Sequence, residues 1–155
     1  MLITQTQRIQ ADASGSDLSS LNHPVKGLFW GQATDGTLVT TGVQLNLNGT
    51  SVFNNNLPAK YFNTVSMYQH SENAVPMAAG GITNDTSKYM YSFATAVNKH
   101  QPTGTCNFSR LDNAKFTWTG TLAGTTDAAT PTFLYGVNYN ILRVKDGLGG
   151  VMFSN

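Results

Sequence analysis

The sequence predicts an all-β fold, an eight-stranded antiparallel sandwich formed by a single domain over residues 1–155. Short segments of alternating apolar and polar residues recur along the chain, separated by turns rich in Gly, Asn and Pro, which is typical of sandwiches and barrels. Only 11% of residues are charged, and Thr and Asn, which favour strands and turns, supply much of the polarity. The segments do not repeat at a fixed period, which argues against a propeller or a solenoid.

The first third of the chain contains three predicted strands. Leu2–Ile9 is rich in Thr and Gln and favours a strand, and Ala11–Ser20 is a predicted polar loop. Val25–Trp30 is apolar enough to be buried on both faces. Residues 43–47 alternate strictly between apolar and polar side chains, which predicts a half-buried strand. The Asn48-Gly49 pair that follows is a strong tight-turn signal.

The middle of the chain is less regular. Residues 61–70 place Tyr and Phe side chains on one face of a short helix, but Ser66–His70 could also enter a strand. Residues 73–87 form a predicted loop with one Pro and two Gly residues. Tyr89–Val97 and Lys115–Leu122 then show the alternation of half-buried strands.

The longest predicted strand is Phe133–Val144. Its aromatic and branched side chains share one face and predict that this face lies between the sheets, with the amides of Asn138 and Asn140 on the other face. A turn at Asp146–Gly150 and a short final strand at Val151–Phe153 follow. Five side chains are expected in the core: Phe116, Trp118, Tyr135, Val137 and Tyr139.

A long connection, His100–Asn113, joins two of these strands and is called the motif loop below. Loops of this length inside a compact domain are uncommon and are usually functional or packed by their own side chains. We expect Arg110 and Asp112 to order it by bonding to the backbone or to each other. The residues of interest in this loop are His100, Gln101, Pro102, Cys106, Asn107, Phe108, Ser109, Arg110, Asp112 and Asn113.

The motif loop, HQPTGTCNFSRLDN, resembles a segment of the major capsid proteins of nucleocytoplasmic large DNA viruses, the group with chlorella viruses and iridoviruses. NHPVKGLFWGQ at 22–32 resembles the family's strand C, and GVQLNLNGTSVF at 42–53 resembles its strand D. YFNTVSMYQH at 61–70 and LYGVNYNILRVKDGLGGVMFSN also fit, so the resemblance covers nearly the whole chain in order. It implies an eight-stranded jelly roll, with strands B to I in two facing sheets.

The same resemblance implies a structural role without cofactors. Members of the family have two jelly rolls in tandem, and this chain resembles only the C-terminal one, so the N-terminal jelly roll is absent. The full protein would form a homotrimer, a pseudo-hexagonal capsomer of an icosahedral shell. Its partners would be neighbouring capsomers and minor capsid proteins. An internal membrane would lie beneath the shell without direct contact, and nucleic acid would not be bound directly. Assembly would take place in the host cytoplasm. A lectin-like, carbohydrate-binding jelly roll is the alternative, because lectins share this fold.

The residues themselves give little support for catalysis or metal binding. Cys106 with His100 and Asp112 superficially suggests a nucleophile, base and orienter, but there is no nucleophile-elbow pattern and an isolated cysteine usually packs as a small apolar residue. The three histidines, His23, His70 and His100, lack metal-ligand spacing. The net charge of +1 comes from scattered residues and gives no electrostatic case for nucleic acid. We therefore predict no catalytic, cofactor-binding or metal-binding residue.

Three asparagines match the N-glycosylation acceptor pattern: Asn48, Asn84 and Asn107. Modification requires exposure and a secretory route as well as the pattern. The first ten residues lack the basic segment and apolar core of a signal peptide, and a sequence rich in Asn and Thr yields such patterns by chance. Asn107 is the least suited of the three, because we expect it to be packed within the motif loop.

Overall fold

The computed structural model describes residues 1–11, 15–31, 39–53, 57–72, 88–121 and 133–154. The described part consists mostly of strands, with three short helical turns. The strands are β1 (Leu2–Gln10), β2 (Gly15–Asp17), β3 (Pro24–Gly31), β4 (Val39–Leu47), β5 (Thr50–Ser51), β6 (Lys88–Ser92), β7 (Cys106–Asn107), β8 (Ala114–Thr121), β9 (Phe133–Lys145) and β10 (Leu148–Val151). The helical segments are a π-helical turn at Tyr61–Val65, helix α1 at Ser66–His70 and a 3-10 turn at Phe108–Arg110.

The strands form two antiparallel sheets. One sheet has the order β1-β9-β3-β6, with β7 also paired to β3 and β10 also paired to β9; the other has the order β2-β8-β4-β5. The first four strands of the chain therefore alternate between the two sheets. This is the two-sheet jelly-roll sandwich that the sequence and its family resemblance predict.

An aromatic core lies between the sheets. The ring of Trp30 on β3 lies 4.7 Å from that of Phe116 on β8 and 5.3 Å from that of Phe62 in the π-helical turn, measured between ring centroids. Leu28 and Leu45, from the two sheets, are fully buried in the same cluster. The burial of Phe116 and Trp118 confirms two of the five core predictions.

Strand β2 lies inside the segment that was predicted to be a polar loop, so that prediction was wrong. Gly15–Asp17 pairs with residues 115–117 of β8. Three residues are too few to show a periodicity, so the sequence pattern does not reveal this strand. A glycine is needed at position 15 because a Cβ atom there would lie only 2.6 Å from the carbonyl oxygen of Phe116. Because β2 comes second, lettering the strands from B makes β3 strand D and β4 strand E, one letter later than the resemblance suggested.

The buried face of β9 is the opposite of the one predicted. Leu134, Gly136 and the two amides Asn138 and Asn140 face inwards and are buried, whereas Tyr135 is 37% exposed. The remaining predicted core residues of this strand, Val137 and Tyr139, share the outward face with Tyr135; Val137 is half-buried and Tyr139 is buried outside the main core. The aromatic alternation of β9 therefore belongs to an outer surface.

Partners from β1 explain why amides replace apolar residues in this part of the interior. Gln7 Nε2 donates to Asn138 Oδ1 at 3.0 Å and to the carbonyl oxygen of Asn22 at 2.9 Å. Asn140 Nδ2 donates to Gln5 Oε1 at 2.9 Å. Buried polar groups are tolerated when they are hydrogen-bonded, so this amide network satisfies itself across two strands that are far apart in sequence.

The other local predictions were mostly right in type. Residues 61–70 are helical, so the alternative of a strand at Ser66–His70 was wrong. Positive φ angles of 50° at Asn48 and 79° at Gly49 confirm the tight turn. The last turn is only Asp146-Gly147, and the final strand is β10 rather than residues 151–153. The predicted loop at 73–87 lies outside the described residues.

Candidate functional site

The motif loop is packed by its own side chains and pairs with the sandwich. Strand β7 pairs with the first two residues of β3, and the side chain of Phe108 is buried just after it. The side-chain oxygen of Asn107 accepts from the backbone N–H of Ser109 at 3.2 Å and caps the 3-10 turn. Earlier in the loop, Thr103 Oγ1 accepts from the N–H of Ala96 at 3.0 Å and donates to its carbonyl at 3.1 Å.

Two residues in left-handed conformations fix the loop from outside. His23, with a φ angle of 68°, donates its backbone N–H to Ser109 Oγ at 2.8 Å, and its carbonyl accepts from the N–H of Phe108 at 3.1 Å. Asn48 Oδ1 accepts from the backbone N–H groups of Asp112 and Asn113 at 3.0 and 3.2 Å. Both anchors come from tight connections that precede strands, so three loops meet at one end of the sandwich.

The charged residues of the loop do not hold it in place. The side chains of Arg110 and Asp112 are exposed, and within the described residues neither makes an ion pair or a hydrogen bond through its side chain. The prediction that they order the loop was therefore wrong about the residues, although the loop is ordered. Backbone groups, Asn48 and Ser109 do this instead, and sequence reasoning missed Asn48 because its tight-turn signal already explained it.

Cys106 is a packed thiol. It is half-buried on β7, contacts the main core, and burial raises the pKa of its thiol above the usual value. A raised pKa lowers the thiolate fraction at neutral pH and makes the group a poor nucleophile. His100 and Asp112 are both exposed, and in the described part of the chain no hydrogen bond joins either of them to Cys106. The arrangement gives no support to nucleophilic catalysis.

Metal and membrane features are equally scarce within the residues described. No group of three or more His, Cys, Asp or Glu side chains could hold a metal ion there, and no helix there has the length and apolarity needed to span a membrane. Of the glycosylation candidates, Asn48 and Asn107 are both exposed, so Asn107 is not packed as we expected. Asn84 lies outside the described residues.

The outward face of the six-stranded sheet includes buried apolar side chains. Val97 and Met90 are buried but do not belong to the main core, and Val97 lies against Gly27. Next to it, the amine of Lys26 lies 5.2 Å from the ring centroid of Tyr139, and burial lowers the pKa of this amine. A sheet face that is exposed to water usually carries polar side chains, whereas this face carries apolar ones.

Comparison with known proteins identifies the family. A model described as the large eukaryotic DNA virus major capsid protein matches residues 1–150. The chain belongs to this family. The match runs from the first residue of the chain to the third residue of β10, so it includes both sheets and the motif loop.

Individual relatives agree with the family match. The major capsid protein of Pyramimonas orientalis virus is 35% identical, over 99% of this chain and 43% of that protein. The major capsid protein of Paramecium bursaria Chlorella virus 1 is 34% identical, over 98% of this chain and 46% of that protein. The chain therefore spans slightly under half the length of these two curated relatives.

Solved structures show the same fold. The crystal structure of PBCV-1 VP54 fitted into a cryo-EM reconstruction of the virophage Sputnik matches with a TM-score of 0.75 and 27% identity, covering all of this chain and 51% of that one. The major capsid protein P2 of bacteriophage PM2 matches with a TM-score of 0.53 and 12% identity, covering 100% of this chain and 46% of that one. The latter identity is low enough that the similarity concerns the fold alone.

Proposed function

We propose that this chain is the C-terminal jelly roll of a major capsid protein that builds the icosahedral shell of a large DNA virus. The family match over residues 1–150 carries this proposal. The jelly-roll topology supports it, and so does the extent of the match, about half of each relative, since one jelly roll is half of a double one. The role is structural, and no reaction or cofactor is required.

The mechanical part of the proposal follows from the sandwich. Paired backbone groups and a close-packed aromatic core make a stiff block, which suits a subunit that must transmit load without deforming. Two such blocks in tandem, in three copies, would give a homotrimeric capsomer with pseudo-hexagonal outline. Its flanks would contact neighbouring capsomers and minor capsid proteins, with the internal membrane lying beneath and assembly taking place in the host cytoplasm.

Assembly state tests this proposal directly. The tandem protein, with a preceding jelly roll, should form a closed threefold assembly, whereas the isolated 155-residue chain should be monomeric or aggregate, because it presents only part of the obligate interface. Light scattering on both proteins distinguishes these outcomes. A monomeric tandem protein would contradict the capsid role.

Imaging and ligand binding test the same proposal independently. Negative-stain imaging of the source material, with an antibody against this chain, should label icosahedral particles. Specific binding of the isolated chain to a glycan array, without labelled particles, would instead favour the lectin-like alternative.

A further inference from the structure

The hairpin formed by the end of β9 and by β10 carries an exposed apolar surface. Val144 is 69% exposed and Leu148 is 79% exposed. Six of the large apolar side chains that are exposed in the described part of the chain belong to this hairpin and the two residues after it: Ile141, Val144, Leu148, Val151, Met152 and Phe153. The hairpin register places Val144 and Leu148 on opposite faces, so both faces carry exposed apolar side chains. A concentration of this kind marks an interaction surface more often than an isolated exposed leucine does.

The outer edge of this hairpin offers unpaired backbone groups. The N–H of Met152 donates to the carbonyl of Ile141 at 2.7 Å, so by alternation the backbone groups of Gly149 and Val151 point away from β9. Within the described residues β10 pairs with β9 alone. A Cβ atom on Gly150 would meet nothing within 4 Å, so the face of the strand at Gly150 is open as well.

The charge around this edge is mainly positive. Arg143 lies opposite Gly150 and Lys145 lies opposite Leu148 in the hairpin register, so both cations share one face. They line a shallow groove of about 550 Å³, and among the described residues that line it Asp146, in the turn, is the one acidic residue. A strand with acidic side chains would complement this groove.

We propose that β10 is a docking strand, to which an extended acidic segment of another polypeptide adds as the next strand of the sheet. Strand addition uses main-chain hydrogen bonds for affinity and alternate side chains for specificity, and it would satisfy the outward groups of Gly149 and Val151. A lipid surface could cover the apolar side chains, but hydrocarbon would leave these backbone groups without hydrogen-bond partners. This inference is independent of the capsid proposal.

The test is an amide NMR titration of the ¹⁵N-labelled chain with three synthetic heptapeptides. The acidic peptide acetyl-Glu-Val-Thr-Val-Thr-Val-Glu-amide should shift the amide resonances of Gly149 and Val151 at millimolar concentration. Replacing its central Val by Pro should abolish the shifts, because proline removes a ladder donor. Replacing both Glu residues by Lys should weaken binding about fivefold, as expected for two exposed ion pairs.

Variants separate docking from folding. Leu148→Ser should reduce the shifts, and because the side chain is already exposed the fold should be unchanged. Reversing the charges in the Arg143→Glu, Lys145→Glu double variant should make the Lys peptide the better ligand. Tyr68→Ser on α1, where the side chain is also exposed, is the matched control and should change nothing.

Three results would overturn the proposal. The first is that the acidic peptide causes no shifts at Gly149 and Val151, and the second is that the proline peptide binds equally well. The third is that the chain co-floats with phosphatidylcholine–phosphatidylserine vesicles and that Leu148→Ser abolishes this co-flotation.

Discussion

Substituting Asn138 by Ala should destabilise the protein by about 3 kcal/mol, which is far more than a polar-to-apolar change usually costs at a surface. The side chain is fully buried, accepts from Gln7 Nε2 at 3.0 Å and donates to the carbonyl of Tyr139 at 3.2 Å. These two bonds contribute about 1 kcal/mol each. The third bond, to Gln5 Oε1 at 3.4 Å, is too long to add much, and the cavity left by the amide adds roughly 1 kcal/mol.

The loss is bounded because the partners keep other bonds. Gln7 Nε2 still reaches the carbonyl of Asn22, and Gln5 Oε1 still accepts from Asn140. Neither amide is left without a partner, so the larger penalty of an orphaned buried group does not apply.

Urea unfolding, followed by the fluorescence of Trp30 and Trp118, measures this cost. Thr6→Ala is the control, because Thr6 is exposed on β1, and it should change the unfolding free energy by less than about 0.5 kcal/mol. Gln7→Ala combined with Asn138→Ala should cost less than the sum of the two single changes. Strict additivity, or a cost for Asn138→Ala no greater than the control, would show that the amide network does not form.

Three further predictions concern the loops and the outer face. Labelling of Cys106 by thiol reagents should be slow in the folded protein at pH 7 and should accelerate with pH, because burial raises its thiol pKa; rapid labelling at neutral pH would contradict its packed position. Asn48→Ala should speed proteolysis within residues 100–113, because it removes the oxygen that accepts from the loop backbone. Asn48→Gly should do the same, since it keeps the left-handed backbone and removes only the side chain. Unchanged cleavage in both variants would show that the side chain does not anchor the loop. Burial lowers the pKa of Lys26 from its usual value of 10.5, so just below that pH the folded state binds fewer protons than the unfolded state. The unfolding free energy should therefore rise as the pH increases towards 10.5. Urea titrations at several pH values measure this rise, and a rise that is unchanged in Lys26→Met would have another origin.

The sequence predicted the strands whose signal is local and missed those whose signal is not. Residues 43–47 alternate cleanly, and their strand was found with its tight turn. Strand β2 has three small or polar residues, and only its pairing with β8 makes it a strand. The motif loop was expected to be ordered by its own Arg110 and Asp112, but its anchors His23 and Asn48 lie more than 60 residues away in the chain.

Strand β9 shows why the buried face could not be read from periodicity. One face of β9 carries mostly aromatic rings, and the other carries Leu134, Gly136 and two amides. An amide face is favourable inside only if partners are present, and these partners are Gln5 and Gln7 on β1. Hydrophobic pattern alone therefore favours the wrong face, since a prediction from one strand cannot include a partner 131 residues away.

The position of β9 between β1 and β3 also determines when the protein can fold. The register joins Leu2 to Ile141, so the six-stranded sheet stays divided until residues beyond 133 have left the ribosome. Until then, among the strands that the structure describes, β1 lacks a neighbour and β3 has one long edge open, which invites pairing with other chains. Contacts of such long sequence separation also slow folding. Production of this protein in many copies at once would therefore depend on protecting nascent chains until β9, which begins at Phe133, is synthesised.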